Sequence, residues 1–273
     1  MTPAALPGYD VPDKASFRMM VAVKQVGRLG DDVAIADDGR DVDASRLDYA
    51  LNEWDDSALE EALRLVERLG GGEVVAVTVG PERADEVLQR VLAKGAQRAV
   101  RVWHDDLAGA DAITIARALA GIARHERPDV ILTGAQSADQ AQGATGAALA
   151  RMLDLPHVGV AVALDWDGAG PLMVVRELED GGHHRVALPT PALASVQTGA
   201  NQPRYATMRM IKAARAKPLV FVDGAAALDR GAFGRVRRAY LPRVDRGAEM
   251  LAGGADEVAA RVDEIIRETV GDR

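Results

Sequence analysis

The stretch that decides the fold is Asp129–Leu153, DVILTGAQSADQAQGATGAALARML. Its first six residues form a short apolar run rich in Val, Ile and Leu, which reads as a strand buried on both faces. Gly134 to Ala144 then holds only small and polar residues, and Thr145-Gly146 opens an apolar-periodic helix that runs to about Leu153. Strand, polar loop and helix in this order place free backbone N–H groups and the positive end of a helix dipole at the carboxyl end of a strand, where an anion would bind. The loop is neither a G-x-G-x-x-G fingerprint nor a P-loop, since no Lys follows it. The same spacing also suits an ordinary small-residue turn.

The rhythm repeats on the N-terminal side. MMVAVKQV (Met19 to Val26) reads as one buried strand. A polar stretch from Gly27 to Ala50 admits a hairpin around DDVAIADDGRDV. From Ser57 a 3.6-residue period appears, with Ser57 and Glu60 spaced as a capping box, and Gly70, Gly71 and Gly72 end it. EVVAVTV, a helix closed by Gly95, RAVRVW, and a helix from Asp111 to before Pro128 complete the alternation. Such alternation with short connections predicts right-handed crossovers and an α/β fold with a doubly wound, mainly parallel sheet. After Leu155-Pro156 come four short strands in succession, VGVAVALDW, PLMVVREL, HHRVAL and ALASV, which predict hairpins extending the sheet or lying at its edge. Beyond them lie a basic helix (Met208 to Lys217), a strand PLVFVD and an amphipathic helix from Ala255 to Val270. The expected organisation is a flexible extension over 1–17, a nucleotide-binding α/β domain over 18–225, and a C-terminal arm over 226–273.

Composition narrows the function. The 273 residues carry 33 Lys+Arg and 41 Asp+Glu, a net charge of −8, and 48% are hydrophobic, enough for a sizeable core. Three Trp, four Tyr and three Phe leave few stacking surfaces; with the acidic balance this disfavours nucleic acid as a partner. Zero Cys excludes disulfides, iron–sulfur ligation and thiol catalysis, and the five dispersed His offer no metal site. No apolar run approaches the roughly 20 residues of a membrane span, and the opening MTPAALPGYDVPDKASF lacks the apolar core of a signal peptide; a cytoplasmic protein without membrane insertion is expected. No nucleophile–base–acid set emerges. The pairs Asp55-Asp56 and Glu60-Glu61 read as solvated helix faces, His183-His184 fall in a strand after a turn, and Asn52 either caps a helix or reaches a base. The residues favour a nucleotide-binding module over an enzyme with its own catalytic set.

Taken in order, MVAVKQV, the segment LNEWDDSALEEALRL, EVVAVTVGP, VLAKGAQRAVRV, PDVILTGAQSAD, VRELEDGG and NQPRYATM resemble the beta subunit of the electron transfer flavoproteins over about Met19 to Val270. The resemblance implies a Rossmann-like fold of the adenine-nucleotide alpha-hydrolase type. It also implies a heterodimer with an alpha subunit, a FAD held mostly by that subunit, a structural AMP in this one, electron donors among the flavoprotein dehydrogenases, and a membrane-bound quinone oxidoreductase as acceptor. The cofactor then carries the electrons, and the protein binds and orients it.

By position, the resemblance assigns Ala22, Asn52 and Val79 to the surroundings of the AMP, and Gly134, Gln136, Asp139, Gly143, Ala144, Thr145 and Gly146 to its phosphate loop. Where the family commonly reads DDDxNQTG, this chain reads DQAQGATG, so Gly143 and Ala144 replace an Asn and a Gln. Bifurcating relatives, which hold a second FAD there and use NADH, carry a DGDTAQVG-like loop that this chain also lacks. Arg176, Glu179, Asp180, Gly181, Val186 and Pro191 fit the family signature, His184 departs from it, and Leu29 stands where a flavin-side aromatic is usual. After the PRYAT motif the resemblance places a recognition segment, with Met208 as the apolar anchor for the dehydrogenase and Arg204 and Tyr205 bracing it. A stand-alone adenine-nucleotide sensor is the competing reading from another class, and NQPRYATM and the long C-terminal arm discriminate against it.

Overall fold

A computed structural model describes residues 6, 9–14, 16–30, 32–228, 234–242, 248 and 250–270. The chain divides into two compact units, 1–239 and 240–273.

The first unit is built on nine strands. The parallel part comprises β1 (Arg18–Ala22), β4 (Glu73–Val79), β5 (Arg98–Trp103), β6 (Val130–Gly134), β7 (His157–Asp165), β10 (Ala192–Val196) and β11 (Leu219–Asp223). With β8 (Leu172–Glu177) and β9 (His183–Leu188) they take the order β11-β5-β4-β1-β6-β10-β7-β8-β9. A separate antiparallel pair, β2 (Gln25–Leu29) and β3 (Leu47–Leu51), follows β1. The helices are α1 (Glu53–Arg68), α2 (Asp85–Lys94), α3 (Ala112–Glu126), α4 (Thr145–Leu153) and α5 (Met208–Ala214).

Alternation along the strands sends side chains to two cores. Met19 and Val21 of β1 and Val74 and Ala76 of β4 join α1 and α2 on one face; Met20 and Ala22, with Val75 and Val77, join α3 and α4 on the other. That burial on both sheet faces is why these strands are continuous apolar runs. The chain steps outward from β1 through β4 to β5, then returns through α3 to place β6 on the opposite side of β1. The strand order therefore reverses between β1 and β6, and their carboxyl ends splay apart there.

Several expectations change. The predicted strand Met19 to Val26 breaks at Val23-Lys24, where the chain leaves the main sheet as β2. The helix expected from Ser57 begins at Glu53, and Ser57 Oγ donates to the Glu53 carbonyl inside it, so there is no capping box. The strand ALASV is not at an edge: β10 lies between β6 and β7 and is parallel to both, and only β7-β8-β9 form the antiparallel edge.

The described residues of 1–17 are not a loose extension. Tyr9 is buried, and its hydroxyl donates to the Glu126 carboxylate. Arg98 forms two hydrogen bonds to that same carboxylate, at 3.0 and 2.7 Å. Arg18 donates to the Glu73 side chain, to the Glu126 carbonyl and to the Pro12 carbonyl. This cluster closes the amino ends of the strands, and its buried carboxylate is matched by two guanidinium groups, as burial of charge requires. The expected boundary at residue 226 also falls inside the first unit, where the carbonyl of Ala227 accepts from Arg117 at 2.6 Å. In the second unit α6 (Ala255–Val270) has no buried residue, and Val262, Ile266 and Val270 are exposed along it. Among the described residues no helix is long and apolar enough to cross a membrane.

Candidate functional site

A cleft opens where β1 and β6 part, with about 790 Å³ of space counted out to its mouth. Its floor is held together by Asp55, in the first turn of α1. The Asp55 carboxylate accepts from Lys24 N at 2.8 Å, at the end of β1, and from Gly134 N at 2.9 Å, at the end of β6. It is only 6% exposed, and burial pushes its carboxyl up to about 7 against the opposing pull of those N–H groups, Asn52 and the Lys24 charge. A β-carbon on Gly134 would lie 2.4 Å from Asp55 Oδ1 and 2.6 Å from Trp54 Cβ, so this close approach requires glycine.

Asn52 occupies the N-cap position of α1, yet its side chain makes no capping bond. It is 1% exposed; its Nδ2 donates to the Gln136 carbonyl at 2.8 Å and its Oδ1 accepts from Ala138 N at 3.1 Å. The side chain mimics a strand edge and fixes the loop from below. From above, Lys24 Nζ donates to Asp139 Oδ1 at 2.6 Å, with Ser137 Oγ at 3.2 Å and Gln140 Oε1 at 3.3 Å. Ala141 and Gly143 complete the loop in left-handed conformations at φ 49° and 60°.

Helix α4 then starts at Thr145 with Ala144 as its N-cap and no capping side chain. Its first-turn N–H groups are the unsatisfied donors of any helix start, and Ala144, Thr145 and Gly146 line the cleft. Gly146 lets this end settle on the sheet: a β-carbon there would meet Ser195 Oγ at 2.4 Å and Thr133 Oγ1 at 2.8 Å. Beneath it Thr133 donates to Ser195 Oγ at 2.9 Å, and His157 Nε2 lies 3.0 Å from the same oxygen. Burial and the nearby Arg176 charge hold His157 below its usual value. The opposite wall of the cleft is apolar, formed by Val77, Val79, Ile115 and Leu119. Uncapped N–H donors at one end and aliphatic side chains at the other fit a phosphate ester carrying a flat apolar group.

Of the residues assigned to this region, Ala22, Asn52, Val79, Gly134, Gln136, Gly143, Ala144, Thr145 and Gly146 line the cleft. Asp139 does not; it stands on the loop, paired with Lys24. Lys24 and Asp55, which the resemblance does not assign, line the cleft as well. Asp55, Glu60 and Glu61 have the sequence pattern of a solvated helix face, yet all three are buried.

Those glutamates organise the second assigned region. Arg204 Nε donates to Glu60 Oε2 at 2.8 Å, its backbone N–H donates to the same oxygen, and its guanidinium also reaches Glu67. Burial alone would raise Glu60, but Arg204 and Arg64 hold it below the usual carboxylate range. Asn201 donates to Glu61 Oε1 at 2.8 Å and to the Ser57 carbonyl at 2.9 Å. Arg204 thus braces the segment, whereas Tyr205 does not: it is 90% exposed, and Met208 is 69% exposed at the start of α5. Leu29, at the end of β2, is exposed as well. Asp180 and Gly181 form the β8–β9 turn, with Gly181 at φ 79°.

A mainly parallel, doubly wound sheet whose strand order reverses beside an open cleft defines an α/β protein of the doubly wound class. The chain belongs to the electron transfer flavoprotein family, among its beta subunits: the model described as "Electron transfer flavoprotein domain" matches residues 41–227. The chain is similar to the electron transfer flavoprotein subunit beta of Methylophilus methylotrophus, with 44% identity covering 93% of this chain and 100% of that protein. It is 34% identical to the subunit beta of Bradyrhizobium diazoefficiens, over 74% of this chain and 80% of the relative. Against the Homo sapiens subunit beta the identity is 33%, over 75% and 80% of the two chains.

Proposed function

We propose that this chain is the beta subunit of a cytoplasmic, heterodimeric electron transfer flavoprotein. It pairs with an alpha subunit, helps enclose a FAD held mostly by that partner, and carries a structural AMP in the cleft between β1 and β6. Electrons arrive from flavoprotein dehydrogenases and leave to a membrane-bound quinone oxidoreductase. The flavin supplies the redox chemistry, while this chain's residues bind, orient and exclude water. The observation that carries the nucleotide reading is the uncapped start of α4 at the switch point, facing an aliphatic wall. Thr145, Gly146 and the backbone of the loop would take the phosphate, and Val77, Val79, Ile115 and Leu119 the base. Met208 and Tyr205, exposed on a segment pinned by Arg204, form the dehydrogenase-facing surface. The apolar stripe of α6 docks on the alpha subunit.

The test is to co-express the chain with its alpha subunit, purify and denature the complex, and quantify the released FAD and AMP. One of each per heterodimer is expected. Two FAD without AMP would replace this reading by a bifurcating one. A chain that purifies alone with an adenine nucleotide and no flavin partner would replace it by a nucleotide sensor.

A further inference from the structure

A second cavity lies between α3 and the edge strand β11, and it shares no residue with the cleft between β1 and β6. It holds about 690 Å³ of space counted out to its mouth. Its walls are largely apolar: the buried Val102, Ile122 and Val222 line it. One end is closed by the turn Ala225–Leu228 that follows β11. The other is bounded by Leu6, whose carbonyl accepts from Tyr9 N, and by His125, which Tyr9 meets edge-on at 6.4 Å.

Gly121 marks this cavity as more than a packing gap. Glycine inside a helix is less favourable than alanine, and nothing lies within 4 Å of the place a β-carbon on Gly121 would take. Close approach therefore does not require glycine here. Helix α3 gives up stability and leaves open space facing the cavity.

The charge of the lining points to an anion. Arg117, Arg124 and His125 stand against one acidic residue, Asp223, among the described residues that line it. The Asp223 carboxylate accepts from Ala225 N at 2.9 Å. Arg117 is half-buried, and its Nη1 donates to the Ala227 carbonyl at 2.6 Å. That bond fixes the guanidinium and uses one of its five donors, leaving a fork that matches a carboxylate. From Arg117 to His125 the helix runs about 12 Å, at about 1.5 Å per residue, so an apolar chain attached to that carboxylate has room to lie along Ile122 and Val222 toward Leu6.

We propose that this cavity is a second ligand site, which takes an aliphatic carboxylate of medium chain length with its head group on Arg117. Arg124 and His125 add to the positive potential, and the absent side chain of Gly121 makes room for the hydrocarbon.

The experiment is titration calorimetry on the full-length chain in complex with its alpha subunit, with excess AMP present, using octanoate, acetate and octanol as probes. Octanoate should bind about tenfold more tightly than either of the others, since only it offers both the charge and the chain. Arg117→Met should weaken octanoate about tenfold and leave octanol unchanged. Gly121→Leu should fill the cavity and abolish octanoate binding while the melting temperature holds or rises, because leucine is the better helix former. If Gly121→Leu does not fold, Arg117→Met decides alone. Acetate or octanol binding as tightly as octanoate, no binding of octanoate to the wild type, or octanoate binding that survives both substitutions overturns the proposal.

Discussion

Replacing Asp55 by Asn should change how stability depends on pH. The carboxyl is pushed from an ordinary 3.8 to about 7 because it is buried at the junction of β1 and β6. A folded-state value above the unfolded one means the native protein holds this proton more tightly. The associated stability is complete below about pH 4 and is lost as pH rises through about 7. A rise from 3.8 to about 7 is worth on the order of 4 kcal/mol at about 1.36 kcal/mol per pH unit. Asn cannot titrate, but its amide turns N–H toward one of the two donors, Lys24 N or Gly134 N, which costs about 1–3 kcal/mol at every pH. The variant should therefore be the less stable protein near pH 4.5 and match or exceed the wild type near pH 8.5. Urea unfolding followed by circular dichroism at half-unit pH steps gives both curves by linear extrapolation. Glu60, Glu67 and Glu73, which are held low by arginines and lose stability as pH falls, are common to both proteins and cancel in the difference. A wild-type-minus-variant difference that stays constant within about 1 kcal/mol across this range would refute the reasoning.

Gly146→Ala places a methyl 2.4 Å from Ser195 Oγ and 2.8 Å from Thr133 Oγ1; lifting α4 off the sheet should cost about 1–3 kcal/mol, and an unchanged melting temperature would show that the contact is not tight. Arg204→Leu leaves buried Glu60 with only Arg64 as its counter-charge, so thermal unfolding should report a loss of about 2–3 kcal/mol, and stability within 0.5 kcal/mol of wild type would exclude the brace. Met208→Glu, at a site 69% exposed, should leave the melting temperature and the flavin content unchanged while abolishing electron uptake from the dehydrogenase, because the partner's apolar pocket would bury an unpaired charge; normal uptake in a stopped-flow assay would remove Met208 from the docking surface.

The parts of this fold that depend on local pattern were legible. The strand–loop–helix at Asp129–Leu153, the terminations at Gly95 and before Pro128, and the turn at Asp180–Gly182 all follow from periodicity and turn chemistry. What could not be read locally was any residue whose partner lies far along the chain. Asp55 bonds Gly134 from 79 residues away, and Lys24 meets Asp139 across 115. Without those partners, an acidic pair on a helix looks like a solvated face. Ser57 and Glu60 have capping-box spacing, but the helix starts earlier because Asn52 is anchored to the loop and Glu60 is held by Arg204. The placement of β10 is a topological choice that a five-residue apolar strand does not encode by itself.

Both the cleft and the Tyr205–Met208 segment depend on α1. Its amino end supplies Asn52 and Asp55, which hold the loop and join the two strand ends at the cleft. Its later turns supply Glu60, Glu61 and Glu67, which hold Asn201 and Arg204 beneath the exposed Tyr205–Met208 segment. The middle of the helix is locked to the sheet through Leu59, Ala62, Leu63 and Val66, so its two ends cannot shift independently. This helix carries an acidic side chain at Glu53, Asp55, Asp56, Glu60, Glu61 and Glu67; Asp55, Glu60, Glu61 and Glu67 are engaged in fixing one region or the other, while Asp56 is paired with Lys94 of α2 and Glu53 with Arg28. A helix that looks in sequence like a charged, solvent-facing element is therefore the frame that fixes the cleft and the exposed Tyr205–Met208 segment relative to the same sheet.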